Sequence, residues 1–562
     1  MMKFNEMKYE RPKLEDIKEK YESFKEKMKN ASNGKELIDT IKEFSKFEKE
    51  IGTLYTLVSV RHSIDTRDEF YKEENDYWDE ISPVMSNYYS EIAKVILESK
   101  YKDEVEKEIG KHYLDLLECS LVIEEKAIPY LQKENSLITK YDNLIANSEI
   151  EFEGKTYTLT QMGPLLQDTN RERRKAAYKA RWNFFKENME TIDNIYDEMV
   201  KVRHEMAVAL GYKDYIEFRY KQLSRTDYTR EEVKRYREKI LKNITPLVVE
   251  LNKIQKEELG IEDFKFYDKP IEFTEGTPRP MGDKDYIVGK AKHMYEELSK
   301  ETGEFFNFMI SNDLMDLNAQ PGKMGGGYCT SFDAYKSPFI FANFNGTKGD
   351  VEVVTHEAGH AFQNYMSQDK EIVEYIWPTY ESCEIHSMSM EFLTWPWMKD
   401  FFENEDKFKF AHLKGAISFL PYGVTIDHFQ HWVYENPTAT PEERRKKFHE
   451  IEMIYQPDLD YDNEFLEKGG YWFTQSHVFS APFYYIDYTL AQVLAFEYLI
   501  KSLEDPKKTL DEYITLCKAG GEESFFNLIE IGKLKNPMTT DVLDEIKPKL
   551  ENILKELKEK IS

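Results

Sequence analysis

The chain has 562 residues, of which 41% are hydrophobic and 32% are charged, and its formal net charge is −28. A chain of this length could hold several domains or one large helical body, and its composition is sufficient for a sizeable core with amphipathic helices facing solvent. The negative charge argues against nucleic acid and anionic membrane surfaces as partners, because both select clusters of Lys and Arg.

The sequence shows no pattern for export or membrane insertion. The N-terminus lacks the apolar stretch of a signal peptide, and no run of about 18 apolar residues occurs. Four cysteines, Cys119, Cys329, Cys383 and Cys517, form no CxxC pair, which argues against a disulfide framework. We therefore expect a cytoplasmic protein that does not bind membranes.

Helical periodicity dominates the first part of the chain. Apolar side chains recur every three or four residues over residues 13–28 and again over residues 37–58, which predicts amphipathic helices. The pattern continues to about residue 147 and indicates antiparallel helical hairpins. We divide the chain into an N-terminal helical region, residues 1–147, and a second region, residues 148–562.

A small β-hairpin is predicted between residues 148 and 162, where hydrophobic and polar residues alternate around Glu153-Gly154-Lys155. Helical periodicity resumes over residues 171–210. Its first turn carries Arg171, Arg173 and Arg174, which we expect to face solvent. Further expected elements are a loop at residues 261–283, a helix at residues 286–309 and a C-terminal amphipathic helix at residues 542–561.

The most specific motif in the chain is His356-Glu357-Ala358-Gly359-His360, an HExxH sequence. On a helix, residues four apart share one face, so His356 and His360 can bind one metal ion. Glu357 lies beside that face, where it can reach a metal-bound water without ligating the metal. A buried helix whose histidines are satisfied by hydrogen bonds is the alternative.

The segment before this motif differs from the helical regions. Residues 338–344, PFIFANF, are typical of a strand, and Asn345-Gly346 is a turn signal. Asp350 is a candidate N-cap for the motif helix. A strand with a free edge here would bind an extended peptide through main-chain hydrogen bonds. A hairpin without a free edge is the alternative.

A third metal ligand is expected from a neighbouring element. The residues after His360 do not match the metzincin motif, which requires Gly and His at the positions of Gln363 and Met366. The thermolysin-like continuation requires a Glu on the next helix, which here begins around Pro378. That helix offers three carboxylates on one face, Glu381, Glu384 and Glu391.

We choose Glu384 as the third ligand, since carboxylates in the middle of an apolar helix are costly to bury unless they bind a cation. Glu381 and Glu391 become candidates for orienting a ligand histidine. His386 is an alternative ligand, but it lies about 200° around the helix from Glu384. Surface-exposed carboxylates are the remaining interpretation of this helix.

The runs HEAGHAFQNYM and YIWPTYESCEIHSMSMEF resemble the oligoendopeptidase F family, which is related to thimet oligopeptidase and neurolysin. The similarity extends upstream through GGGYCTSFDAYKSPFIFANFNGTKGDVEVVTHE and downstream through SHVFSAPFYYIDYTLAQ. This resemblance implies a mainly α, neurolysin-like prolate body with a deep substrate channel and a small β element beside the zinc helix. It also implies short peptides as substrates, one zinc ion per chain, and residues 1–147 as one channel wall.

The same resemblance supports Glu384 as the third zinc ligand. The downstream run matches a family segment that presents a histidine and tyrosines across the cleft from zinc. His477 matches the histidine, and the catalytic tyrosine is Tyr484, Tyr485 or Tyr488.

The predicted function is therefore that of a zinc-dependent oligoendopeptidase hydrolysing internal bonds of short peptides. Zinc and Glu357 would activate a water, while His477 and one tyrosine would stabilise the oxyanion. A helical zinc metallo-carboxypeptidase carries the same motif and is the alternative. A non-enzymatic helical binding protein with an accidental motif would lack stoichiometric metal.

Overall fold

Amphipathic helices build most of the molecule, in agreement with the spacing of its apolar residues. The computed structural model describes residues 2–561, and the predicted mainly α fold class is confirmed. Among these residues, none of the helices combines the length and hydropathy needed to cross a membrane. The helices are α1 Leu14–Lys29, α2 Gly34–Ile64, α3 Glu69–Leu97, α4 Lys102–Glu108, α5 Lys111–Ser120, α6 Ile128–Ala146, α7 Arg171–Glu187, α8 Met189–Ala209, α9 Tyr215–Gln222, α10 Arg230–Asn243, α11 Thr245–Leu259, α12 Lys284–Leu298, α13 Lys300–Ser311, α14 Gly349–Ser367, α15 Tyr380–Leu393, α16 Glu405–Glu435, α17 Pro441–Tyr455, α18 Glu464–Glu467, α19 Ser476–Ser480, α20 Tyr485–Glu504, α21 Pro506–Ala519, α22 Phe525–Ile531 and α23 Val542–Ile561.

The first helices share a hydrophobic core of their own. α1, α2 and α3 pack together, and Leu37, Ile41 and Trp78 are almost completely buried between them. Ile372 and Tyr375, from the segment between α14 and α15, belong to the same core. The N-terminal helices are thereby anchored next to the elements that carry the HExxH motif. The division of the chain at residue 147 stays a prediction.

The predicted hairpin forms two short antiparallel strands, β1 Ile150–Phe152 and β2 Lys155–Tyr157. Glu153 and Gly154 make the turn, with φ values of 51° and 76°. At Gly154 this positive φ costs no strain, because glycine has no Cβ. The helical stretch predicted after the hairpin consists of two helices, α7 and α8, separated at Asn188.

The arginines at the start of α7 form ion pairs. Arg174 is 2% exposed, and its guanidinium lies 2.6 Å from Asp268, which also accepts from Arg171 at 2.8 Å. The prediction of solvent exposure is wrong for Arg174, because the loop between α11 and α12 folds over α7 and supplies the carboxylate. Burial alone would raise the pKa of Asp268, but hydrogen bonds from Arg171, the Lys265 backbone and Arg174 hold it below its ordinary value.

Ser299 divides the single helix predicted over residues 286–309. α12 ends at Leu298 and α13 begins at Lys300. Between them Ser299 is extended, and its hydroxyl accepts a hydrogen bond from the Thr302 N–H at 3.1 Å. Serine is a favoured N-cap, so the local cap starts a new helix although the apolar spacing continues.

A three-stranded sheet lies against α14. Its strands are β3 Met315–Asn318, β4 Tyr328–Phe332 and β5 Ser337–Phe344. β5, the strand predicted from the aromatic run, is central, pairing in parallel with β3 and antiparallel with β4. β4 is therefore at one edge of the sheet, and it contacts α14. Peptide binding along a free edge remains a prediction.

α14 begins after Lys348 rather than at the predicted cap, Asp350. Asp350 lies inside the first turn, where its carboxylate accepts from the N–H groups of Asn345 and Gly346 at 2.9 and 2.8 Å. The prediction of Asp350 as the N-cap is wrong. Its carboxylate instead ties the preceding turn to the positive end of the helix dipole.

α14 and α15 cross very closely at Gly359. A Cβ atom at Gly359 would lie 2.5 Å from the His386 carbonyl oxygen and 2.6 Å from Ser387 Cα. Contacts this short are not made by real side chains, so the absence of a Cβ sets the distance between the helices. α15 packs along α20 on its other side, and the three helices form the frame of the candidate site.

Candidate active site

Three side chains from α14 and α15 meet at one point. His356 Nε2 lies 3.2 Å from Glu384 Oε2, and His360 Nε2 lies 3.3 Å from the same oxygen. The three ligand atoms lie within 4.8 Å of one another. The one-turn spacing places both imidazoles on one face, and Gly359 lets α15 approach closely enough for Glu384 to reach them.

The residues of this cluster fit a bound metal ion. His356 Nδ1 lies 2.7 Å from Glu391 Oε1 and donates a proton there, which leaves His356 Nε2 as the ring atom that can bind a metal ion. His356 Nε2 and Glu384 Oε2 lie 3.2 Å apart in a buried site, where a positive charge between them, a proton or a metal ion, is needed to stabilise the pair. Two imidazoles and one carboxylate also match the donor set of catalytic zinc sites that keep an open position.

Glu391 holds the ring of His356 in place. Its second oxygen lies 2.7 Å from His412 Nε2, and Trp395 Nε1 donates to His412 Nδ1 at 2.9 Å. Burial alone would raise the pKa of Glu391, but the hydrogen bonds from His356 and His412 lower it to about 2. An ionised carboxylate behind the imidazole fixes its tautomer and its orientation.

Glu384 is 1% exposed and is held on both sides. Ser387 Oγ donates to Glu384 Oε2 at 2.8 Å, and the Tyr484 hydroxyl donates to Oε1. Burial opposes its ionisation, but His360 and His356 hold the pKa of Glu384 well below its usual range. The carboxylate is therefore ionised and directed at both histidines.

Glu357 lies beside the two histidines and is 5% exposed. Its Oε2 has no hydrogen-bond partner in the described part of the chain. Gly327, which precedes β4, leaves space for the other oxygen, because a Cβ there would come within 3.2 Å of Oε1. Burial raises the pKa of Glu357 although His356 and His360 oppose it. A carboxylate with a raised pKa and a free oxygen is suited to take up a proton.

His477 and two of the tyrosines also reach this cluster. Gln475 Nε2 lies 2.8 Å from His477 Nδ1 and donates to it, so His477 carries its proton on Nε2, which lies 3.1 Å from the Tyr488 hydroxyl. Burial lowers the pKa of His477 to about 4, so the ring is neutral at pH 7. Tyr484 and Tyr488 lie one helical turn apart, and Tyr484 contacts Glu384.

Tyr485 lies on a different face of α20. Its ring packs edge-on against Phe419 and Tyr422, with centroid distances of 5.7 and 5.8 Å. It also contacts the His477 ring at 5.1 Å. Tyr485 thus forms part of the aromatic wall behind His477.

A strained turn aims Tyr484 at the cluster. The preceding residue, Phe483, has a φ of 64°, which is unfavourable for a bulky side chain. Its N–H donates to Gln430 Oε1 at 2.6 Å, and its carbonyl accepts from Arg225. Arg225 also donates to Asp487 at 2.8 Å. The turn is therefore held from both sides by buried polar groups.

A cavity of about 740 Å³ extends from the N-terminal helices toward the cluster. Tyr55 and Trp78 line it on one side, and Tyr380, the first residue of α15, lines it on the other. The Tyr380 ring lies 4.4 Å from the Tyr484 ring, and Glu384 is one helical turn further along α15. The cavity is thus one aromatic contact away from the candidate metal-binding residues.

Two sequence candidates lie outside the cluster. His386 is fully buried and does not join the metal-binding group found in the described residues. Glu381 accepts a hydrogen bond from the Tyr228 hydroxyl at 3.1 Å. Glu391, not Glu381, is the carboxylate that contacts His356.

Sequence reasoning missed three residues that support the site: Gly327, Arg225 and His412. Arg225 and His412 act on residues far from them in the chain, so no local pattern marks them. Gly327 belongs to a run of three glycines, and nothing in that run distinguishes the glycine that contacts Glu357.

This site is that of a metallopeptidase. In a mainly helical body it combines an HExxH helix, a carboxylate on the adjoining helix and a glutamate that has an unpartnered oxygen.

The chain belongs to peptidase family M3: the model of this family matches residues 164–273 and 295–548, and that of the peptidase M3 N-terminal domain matches residues 4–123. The oligoendopeptidase F homolog of Lactococcus lactis subsp. lactis is 24% identical, over 93% of this chain and 89% of its own length. A solved structure described as PZ peptidase A with inhibitor 2 is 45% identical, has a TM-score of 0.98 and covers 99% of both chains. A putative oligoendopeptidase F from Bacillus anthracis is 45% identical with a TM-score of 0.93, covering 99% of this chain and 98% of its own. The resemblance to oligoendopeptidase F is confirmed, and the chain is a metallo-endopeptidase of this family.

Proposed function

We propose that the protein is a zinc-dependent oligoendopeptidase that hydrolyses internal bonds of short peptides. One observation carries the proposal: ligand atoms of His356, His360 and Glu384 converge within 4.8 Å beside an unpartnered oxygen of Glu357. These three ligands would hold one zinc ion. The chemistry that zinc supplies when bound is Lewis acidity, which lowers the pKa of a water ligand and polarises a carbonyl.

Glu357 is the proposed general base. It accepts the proton of the attacking water and later delivers that proton to the leaving amine. Its buried position and raised pKa support this role, because the protonated carboxyl is then stable enough to act as an acid. Gly327 contributes by leaving the carboxylate room to move between the water and the amine.

His477 and Tyr488 are the proposed donors to the tetrahedral oxyanion. The neutral His477 ring keeps its proton on Nε2, and each such donor is worth roughly 3–4 kcal/mol in comparable sites. We propose that Tyr484 orients Glu384 through its hydroxyl and adds a further donor. Tyr485 would support the His477 ring by packing.

Replacing Glu357 by Gln tests this proposal, since the side chain keeps its size but can no longer take up a proton. We expect turnover to fall below detection while the purified protein keeps its metal, as measured by elemental analysis. Glu352→Gln, on the same helix, is the matched control and should stay active. Cleavage by the Glu357→Gln variant at near wild-type rate would exclude Glu357 as the base.

Mass spectrometry of the products separates the endopeptidase from the metallo-carboxypeptidase alternative. We expect cleavage at internal bonds of a peptide of about ten residues. Successive loss of single C-terminal residues would favour the carboxypeptidase.

We further propose that residues 1–147 form one wall of the substrate channel, because Tyr55 and Trp78 line the large cavity. The cysteines are unpaired in the described residues. Free thiols support a reducing compartment, and we propose the cytoplasm.

A further inference from the structure

Arg181 is a half-buried cation without an anionic partner in the described residues. It lies on α7, whose three arginines in the first turn all pair with carboxylates. In residues 2–561, by contrast, no Asp or Glu oxygen lies within 4.0 Å of the Arg181 guanidinium. In a chain with 105 acidic residues, a half-buried arginine that pairs with none of them is unusual, because ions partly removed from water are normally paired.

The neighbours of Arg181 are neutral. Nη1 donates to the Leu159 carbonyl oxygen and Nη2 to Thr474 Oγ1, both at 3.0 Å. The rings of Trp182 and Phe185 lie 5.8 and 5.9 Å from the guanidinium carbon. A guanidinium has five N–H donors, so these contacts use only part of its capacity and leave its charge uncompensated.

Arg181 lines a second cavity, of about 370 Å³. Aromatic side chains, among them Trp182, Tyr267 and Tyr471, form much of its wall. Burial lowers the pKa of Arg181, and the phenols of Tyr471 and Tyr141 oppose this only in part. An anion in the cavity would stabilise the charged form of the Arg181 guanidinium, which burial disfavours. The cavity therefore has the properties of a receptor for a small anionic group.

A short chain segment links the second cavity to His477 of the candidate active site. Thr474, which accepts from Arg181, also lines the cavity, and Gln475 follows it and donates to His477 Nδ1 at 2.8 Å. The three Cα–Cα steps from Thr474 to His477 span at most about 11 Å. Asn345, in the turn before α14, lines the cavity from the other side.

We propose that Arg181 binds a carboxylate of the peptide substrate, so that the C-terminal end of the peptide is held in this cavity during cleavage. This inference rests on the proposed peptide hydrolysis. Arginine suits the task because its planar fork can bind both oxygens of a carboxylate. An extended peptide advances about 3.3 Å per residue, so roughly three to five residues would separate the cleaved bond from the bound carboxylate. Cleavage would then favour peptides short enough for their end to reach Arg181.

A series of matched peptides tests the inference. One peptide is prepared with a free C-terminal carboxylate and as the C-terminal amide. A second pair, both amides, ends in glutamate or glutamine and tests whether a side-chain carboxylate can substitute. The kcat/KM of each is measured for wild type, Arg181→Gln, Arg181→Lys and Lys186→Gln. Lys186 is an exposed cation on the same helix and serves as the control.

We expect wild type to cleave the free acid at least tenfold faster, in kcat/KM, than the amide. Arg181→Gln should lose most of this preference, mainly through a higher KM for the acid, while its kcat/KM for the amide changes little. Arg181→Lys should keep part of the preference, and Lys186→Gln all of it. Equal cleavage of acid and amide by wild type, or an unchanged preference in Arg181→Gln, would overturn the inference and leave Arg181 as a clamp between Leu159 and Thr474.

Two measurements separate this inference from the proposed hydrolysis and from misfolding. Calorimetric binding of the acid and amide peptides to Glu357→Gln requires no turnover and should show tighter binding of the acid. If wild type cleaves both forms equally, hydrolysis stands and the inference fails; if it cleaves neither, the proposed hydrolysis fails. Melting temperatures identify a variant that does not fold. Should Arg181→Gln be unfolded, the Arg181→Lys variant decides, because loss of the bidentate fork alone should reduce the preference.

Discussion

Gly359→Ala would perturb the distance on which the candidate metal-binding cluster depends. The new Cβ would lie 2.5 Å from the His386 carbonyl oxygen and 2.6 Å from Ser387 Cα, whereas ordinary contact begins at 3.4 Å. Both obstacles are backbone atoms of α15, so no side chain can rotate away to relieve the overlap. The helices would have to separate by about 0.9 Å near Gly359.

This separation would displace Glu384, which lies two residues before His386. Metal–ligand distances are held within about 0.2 Å, so the displaced carboxylate could not complete the site without further strain. A misplacement of about 1 Å at a catalytic centre costs on the order of 100-fold in rate. We therefore expect Gly359→Ala to lose about 100-fold in kcat/KM and to retain less than one metal ion per chain after dialysis.

Elemental analysis after dialysis and steady-state hydrolysis of a quenched fluorescent peptide measure the two effects. Gly415→Ala is the control, because Gly415 is also helical and a Cβ there meets nothing within 4 Å. It should keep full activity and be stabilised by about 0.5–1 kcal/mol. A folded Gly359→Ala protein with one metal ion per chain and wild-type kcat/KM would refute the argument that the helix crossing sets the site.

Two further predictions follow from the same structure. Gly327→Ala would place a Cβ 3.2 Å from Glu357 Oε1. We expect kcat to fall about tenfold, while the metal content, measured in parallel, stays at the wild-type level. Loss of metal would contradict this expectation. Asp268→Asn would leave Arg174 buried without its anion, and we expect a loss of about 3 kcal/mol in the free energy of unfolding at pH 7. Because the folded-state pKa of Asp268 is lowered, its stabilisation is present above its unfolded pKa of about 3.9 and is lost as the pH falls through the folded value. The difference in melting temperature between wild type and variant should therefore shrink in that acid range, and a constant difference would count against the ion pair.

Local sequence patterns determined the helices, the hairpin at Gly154 and the strand before the HExxH motif. They did so because helical and strand periodicities are properties of neighbouring residues. The same reasoning identified His356 and His360 as candidate ligands, since their spacing places both on one helical face. Glu384 shares a face with two other carboxylates, so its choice also needed the cost of burying a charge and the family resemblance. Ser299 shows the limit of the method, because a single capping side chain outweighed a continuous apolar pattern.

Only the tertiary structure decided which distant groups complete and support the cluster. The contact of Glu391 with His412, the support of the Phe483 turn by Arg225 and the burial of Arg174 against Asp268 all join residues far apart in the chain. The physical reason is that a hydrogen bond or ion pair depends on distance and direction in space. Those are set by how helices cross and loops fold back, whereas local sequence sets only the face of the helix on which a side chain lies.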